Sequence, residues 1–195
     1  MAQAHPELQG GSGEIPFSLM RRGLEIPSRF HGYELPLDNA ITVQPLNVQF
    51  EMAGSGWAHL HLNLGESATT IWLSYVYDPF PTLLSWLGAV DRGELPIQME
   101  IDEEGASKHL TLHPTSMPGS AHFIVDEPYS TMSFLNGPVD IGQVMSSFRD
   151  ALRTFFEGEF IPESWEMSCQ KGTGIPWALE LETKMLEDPI LRLHS

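Results

Sequence analysis

Only one cysteine, Cys169, stands among the 195 residues. It has no internal partner, so no disulfide framework holds this chain, which fits a reducing compartment. No apolar run reaches the ~18–20 residues that a membrane-spanning helix needs. Glycine-rich phosphate loops, dinucleotide fingerprints, H-E-x-x-H and C-x-x-C are all missing, and neither Gly54-Ser55-Gly56 nor Pro118-Gly119-Ser120 has the form of a nucleophile elbow. Basic residues are scarce: 10 Lys and Arg stand against 26 Asp and Glu, a formal charge of −16. A field of that sign repels a phosphate backbone and argues against nucleic-acid binding. It favours a basic protein partner instead. The opening residues lack a basic start followed by an apolar stretch, so no signal peptide is expected. These absences together predict a cytoplasmic protein with no membrane contact and no cofactor.

The length favours one domain, and 42% hydrophobic residues suffice for an ordinary core. Residues 1–14 are polar and glycine-rich and read as a flexible arm, with 15–195 as a single domain. Pro16, Pro27 and Pro36 break residues 15–40 into extended segments carrying Arg21, Arg22 and Arg29.

Strand alternation begins at Ile41 and runs to Met52, interrupted at Pro45. Trp57 to Leu64 follows, with Leu60, Leu62 and Leu64 on one face and His59, His61 and Asn63 on the other. Ala68 to Tyr77 returns, which makes an antiparallel meander. Phe80, Leu83, Leu84, Leu87 and Val90 predict a helix over 79–92, opened by Asp78 and Pro79 and stopped by Gly93. Leu95–Asp102 and Lys108–His113 form a hairpin, with Leu110 and Leu112 inward and His109, Thr111 and His113 outward. Ala121–Val125 and Tyr129–Leu135 form another, and Asn136-Gly137-Pro138 reads as a closing loop. Asp140 caps a second helix over 141–157, whose apolar face is Ile141, Val144, Met145, Phe148, Leu152, Phe155 and Phe156. Ser147, Asp150 and Arg153 lie opposite, and Gly158 ends the helix. Trp165 anchors an irregular segment, and a short helix over 177–187 completes the chain. The fold class expected is therefore α+β: one domain, a mostly antiparallel bent sheet, two main helices and a short C-terminal helix.

Two sets of side chains carry chemistry. His59 and His61 share one strand face, and His109 and His113 lie on another. Were those strands neighbours, four imidazoles would converge on a zinc ion. The simpler expectation is solvated histidines without a metal. The second set is acidic: Asp102, Glu103 and Glu104 in a turn, and Glu157, Glu159, Glu163 and Glu166 in a loop, both expected to be exposed docking surfaces for Lys and Arg. No catalytic residue is assigned. Cys169 beside Lys171 reads as an inert thiol. Trp72, Trp86, Trp165 and Trp177 are expected in the core, while Trp57 follows a glycine turn.

S-Y-V-Y-D-P-F-P-T-L-L-S-W-L-G-A-V-D-R-G-E-L-P, residues 74–96, resembles a pattern in small uncharacterised bacterial proteins, and F-R-D-A-L-R-T-F-F-E, residues 148–157, is similar to their second helix. The resemblance spans about residues 42–166. It implies an α+β domain and no known catalytic residues. The function expected is a non-enzymatic acidic binding protein, immunity-like or antagonist, that occludes a basic partner. The alternatives are a metal-dependent enzyme using the strand-face histidines and a structural protein that forms homo-oligomers.

Overall fold

The computed structural model describes residues 42–166 and 177–192. The N-terminal arm, the segments over 15–40, Ile41 and Cys169 lie outside the described residues.

The chain is α+β, as its patterning predicts, but the strands of the described residues divide into two antiparallel sheets rather than one bent sheet. In the first, β1 (Leu46–Gly54), β2 (Trp57–Leu64) and β3 (Ser67–Ser74) pair in sequence order. In the second, β4 (Ile97–Asp102), β5 (Ser107–Pro114), β6 (Ser120–Asp126) and β7 (Ser133–Asp140) do the same. In chain order α1 (Phe80–Asp91) follows β3 and precedes β4. After β7 come α2 (Ile141–Thr154), a π-helical turn (Phe155–Glu159), α3 (Pro162–Trp165), α4 (Trp177–Glu187) and α5 (Pro189–Arg192). Inward side chains of both sheets join those of the helices in one buried cluster.

The proline at 45 stands just before β1 rather than inside a strand. Tyr75 to Pro79 is a connection, not strand, so β3 ends three residues earlier than the apolar run suggests. Asp78 still serves the start of α1, since its Oδ1 accepts the Phe80 N–H at 3.1 Å. Leu83, Leu87 and Val90 are buried, as helical spacing requires.

The largest departure is at Asn136-Gly137-Pro138, which is strand and not loop. Gly137 lets the two sheets approach: a Cβ there would stand 3.1 Å from Leu64 Cδ2. Pro138 is tolerated because its carbonyl, and hence its missing N–H, points away from β6. That carbonyl accepts the Gln44 N–H at 2.8 Å.

The second helix is capped as expected, with Asp140 accepting the Gln143 N–H at 2.8 Å. Its polar side is not free. The Gln143 side chain bonds both backbone groups of Leu46, and Ser147 Oγ donates to the same carbonyl at 2.9 Å. An amide and a hydroxyl thus stand in for a neighbouring strand at the start of edge strand β1. Gly158 does not end the helix. The chain widens into the π turn, closed by Phe160 N–H to Phe155 O at 2.8 Å. The extra residue turns Phe155, Phe156 and Phe160 all into the core, where they meet Phe50, Phe80 and Trp165. Gly56, at φ +83°, fastens the β1–β2 hairpin to this region by donating to Ser164 O at 2.7 Å.

Candidate functional site

Strand alternation places His59 and His61 on the outer face of β2, and cross-strand register supplies their neighbours. Glu51 of β1 lies opposite His59, and β3 sets Trp72 beside His59 and Thr70 beside His61. His61 Nε2 is 3.1 Å from Glu51 Oε2, and its Nδ1 is 2.9 Å from Thr70 Oγ1. The two imidazoles stand 5.6 Å apart at 70°. The Trp72 ring packs edge-on against His59 at 4.3 Å and against Trp57 at 6.0 Å. His59 Nε2 is buried without a hydrogen-bond partner. Trp72 is 49% exposed, so it belongs to this outer face and not to the core. Trp177 is likewise exposed, whereas Trp86 and Trp165 are fully buried.

The four histidines do not converge. His109 and His113 sit on β5 of the other sheet. His109 Nδ1 lies 3.5 Å from Asp126 Oδ1, and His113 faces His122 across the β5–β6 pair. Glu51 is the group that sequence reasoning missed. The Gly54-Ser55-Gly56 turn was its signal, because a hairpin closed there sets Glu51 opposite His59. Thr111, expected outward, is buried on the far face of β5 opposite Ile124.

In the acidic turn after β4, Glu104 is exposed, as expected, but Glu103 is not open to a partner. Glu103 Oε1 accepts the Trp72 N–H at 2.8 Å and so covers the free edge of β3. Its other oxygen is 3.7 Å from Lys108 Nζ, and both side chains are only 10% exposed. Ser74 Oγ donates to Glu104, and Asp102 Oδ1 accepts the Glu104 N–H at 2.8 Å. All three carboxylates therefore tie the β4–β5 turn to the first sheet or shape it. Pairing explains the correction: the Glu103 carboxylate, taken largely out of water, is offset by Lys108 and by the Trp72 N–H that it accepts.

The later acidic loop differs. Glu157, Glu159 and Glu163 are exposed. Ile161, 53% exposed, stands between Glu159 and Glu163. Phe160 and Trp165 are buried on either side and hold the segment down. Glu166 is partly buried and accepts the Ala178 N–H at 3.2 Å, so it serves the packing of α4.

Asp78 is the one carboxyl with a resolved departure among the described residues. Burial pushes it up to about 6 from the ordinary 3.8, against the pull of the Phe80 N–H and of Lys184. Its Oδ2 is buried with no hydrogen-bond partner. The folded state thus binds more protons than the unfolded chain between about pH 3.8 and 6. This group's contribution is greatest below that window and is lost as pH rises through it. Asp78→Asn keeps an acceptor for Phe80 and removes the charge. We expect it to be more stable than the natural chain at pH 8 by about 1–3 kcal/mol, discounted for the part of the side chain that water reaches. The difference should shrink towards zero near pH 4. Urea melts of both proteins at several pH values measure it, and a constant difference across that range would refute the assignment.

Along α4 an open groove is lined by Leu179, Glu180, Thr183, Lys184, Glu187 and Asp188. No helix among the described residues is long and apolar enough to cross a membrane. Comparisons of this chain with known protein families, with curated proteins and with solved structures return no match.

Proposed function

We propose that this chain is a non-enzymatic acidic binding protein of the immunity or antagonist type, which occludes a basic protein partner in the cytoplasm. The observation that carries it is the 157–163 segment, where exposed Ile161 stands in the chain between exposed Glu159 and Glu163, with exposed Glu157 paired to Arg153 at 3.3 Å just before them. An exposed apolar side chain flanked along the chain by carboxylates has the composition of a small binding hot spot. Phe160 and Trp165 are buried, so the segment is held before any partner arrives, which lowers the ordering cost of association. The net charge of −16 adds a field that steers a basic partner towards it.

The two parts of the segment separate kinetically. Reversing Glu157, Glu159 and Glu163 together to Lys should slow association at least about tenfold at low salt and flatten its salt dependence. Ile161→Asp should act mainly on dissociation, raising it about tenfold or more. Affinity capture from the source organism identifies the partner, and surface-immobilised kinetics at two salt concentrations measure both variants. Unchanged kinetics in both would sink this reading.

A further inference from the structure

We propose that Glu51, His59 and His61 bind one divalent transition-metal ion of the zinc class, with Thr70 positioning the His61 ring. This site is independent of the 157–163 segment. Ligand atoms of the three residues all lie within 4.8 Å of one another, and the Glu51–His61 pair is already at 3.1 Å. A tetrahedral zinc ion holds its ligands about 3.3 Å apart, given zinc–nitrogen distances near 2.0–2.1 Å. Closing the gap needs side-chain rotation only, because the strands already fix the two histidines on one face and Glu51 opposite. Two imidazoles and a carboxylate form a borderline set that suits zinc, copper or nickel and suits magnesium or calcium poorly.

A hydrogen-bonded His61–Glu51 pair is the competing account of this cluster. It explains His61, both of whose ring nitrogens have partners, but it leaves His59 unexplained. The His59 Nε2 is buried and unpartnered, which is uncommon for a polar atom in a folded protein. Ligation gives the His59 imidazole a use. The Thr70 hydroxyl at His61 Nδ1 is the outer partner that ligating histidines ordinarily have. With the metal on His61 Nε2, the neutral ring carries its proton on Nδ1 and donates it to Thr70 Oγ1, and three protein ligands leave a fourth position to water.

The test uses the full chain without a histidine tag, dialysed against chelator. It is titrated with zinc chloride by calorimetry and with copper chloride by tryptophan fluorescence. Bound copper should quench Trp72, whose ring is 4.3 Å from His59. We expect one saturable equivalent. Binding should weaken at least about tenfold in His59→Ala, His61→Ala and Glu51→Gln, and about tenfold with unchanged stoichiometry in Thr70→Val. His109→Ala and His113→Ala should bind as the natural chain does. Circular dichroism accompanies each variant, and Glu51→Gln keeps the test decisive if a histidine variant fails to fold, since the Glu51 side chain is 55% exposed. No saturable binding up to millimolar zinc overturns the proposal. So does binding that survives the His59→Ala/His61→Ala double variant.

Discussion

Replacing Phe80 by Ala should destabilise the protein by about 3–5 kcal/mol, the usual range for a buried phenylalanine. Phe80 is fully buried at the first residue of α1. Its ring lies 6.0 Å from Phe50, 5.8 Å from Phe155, 5.0 Å from Phe156 and 5.4 Å from Trp165. Those partners come from β1, the π turn and α3, so one truncation loosens every element that holds the 157–163 segment. Aromatic pairs add about 0.5–1.5 kcal/mol each beyond burial, which places the expected loss in the upper half of that range. For a chain of this size that is a fall in melting temperature of roughly 6–20 °C. Phe80→Leu should cost less than half as much, because most of the volume stays. Thermal and urea melts followed by circular dichroism measure both. A cost under about 1 kcal/mol for Phe80→Ala would show that the ring is not the junction described.

Lys108→Ala should cost about 2–5 kcal/mol, and for an electrostatic reason. Lys108 Nζ lies 3.7 Å from Glu103 Oε2 and 2.5 Å from Glu127 Oε1, and 4.0 Å above the Phe134 ring. Removing it strands the Glu103 carboxylate at 10% exposure. A buried ion pair adds little over an apolar replacement, yet a lone buried charge is strongly unfavourable. The sign of the effect therefore depends on which partner remains. Lys108→Met with Glu103→Gln should recover most of the loss, since the glutamine still accepts the Trp72 N–H and the methionine still packs. A double-mutant cycle in denaturant should show a coupling above about 1 kcal/mol. Additive losses would mean that Glu103 does not depend on Lys108.

The first sheet was largely legible because its signals are local. Leu60, Leu62 and Leu64 alternate with His59, His61 and Asn63, and the glycine turn fixes where the hairpin closes. Trp72 was misread because an unbroken apolar run hides its own alternation. Ile71 and Leu73 face the core while Trp72 faces out beside His59. The partner of β6 was expected at Tyr129–Leu135 but runs from Ser133 to Asp140; its second half was missed because Asn-Gly-Pro reads as a turn wherever no second sheet presses on the glycine. The exposure of Glu103 in the turn after β4 was misjudged for a similar reason. Nothing near Glu103 in the chain reveals that Trp72, an edge residue of another sheet, presents an N–H to it.

Residue periodicity and capping chemistry, acting over a turn or a hairpin, determined the antiparallel strands, α1, the Asp140 cap and the buried faces of both main helices. Composition alone determined the acidic field. Tertiary structure decided which polar groups are engaged and which are exposed. It separated His109 and His113 from His59 and His61, brought Glu51 to the latter pair, and left Ile161 outside the core. The physical reason is range. A side chain's periodicity is set by the backbone beside it, whereas its burial and its partners are set by elements far along the chain.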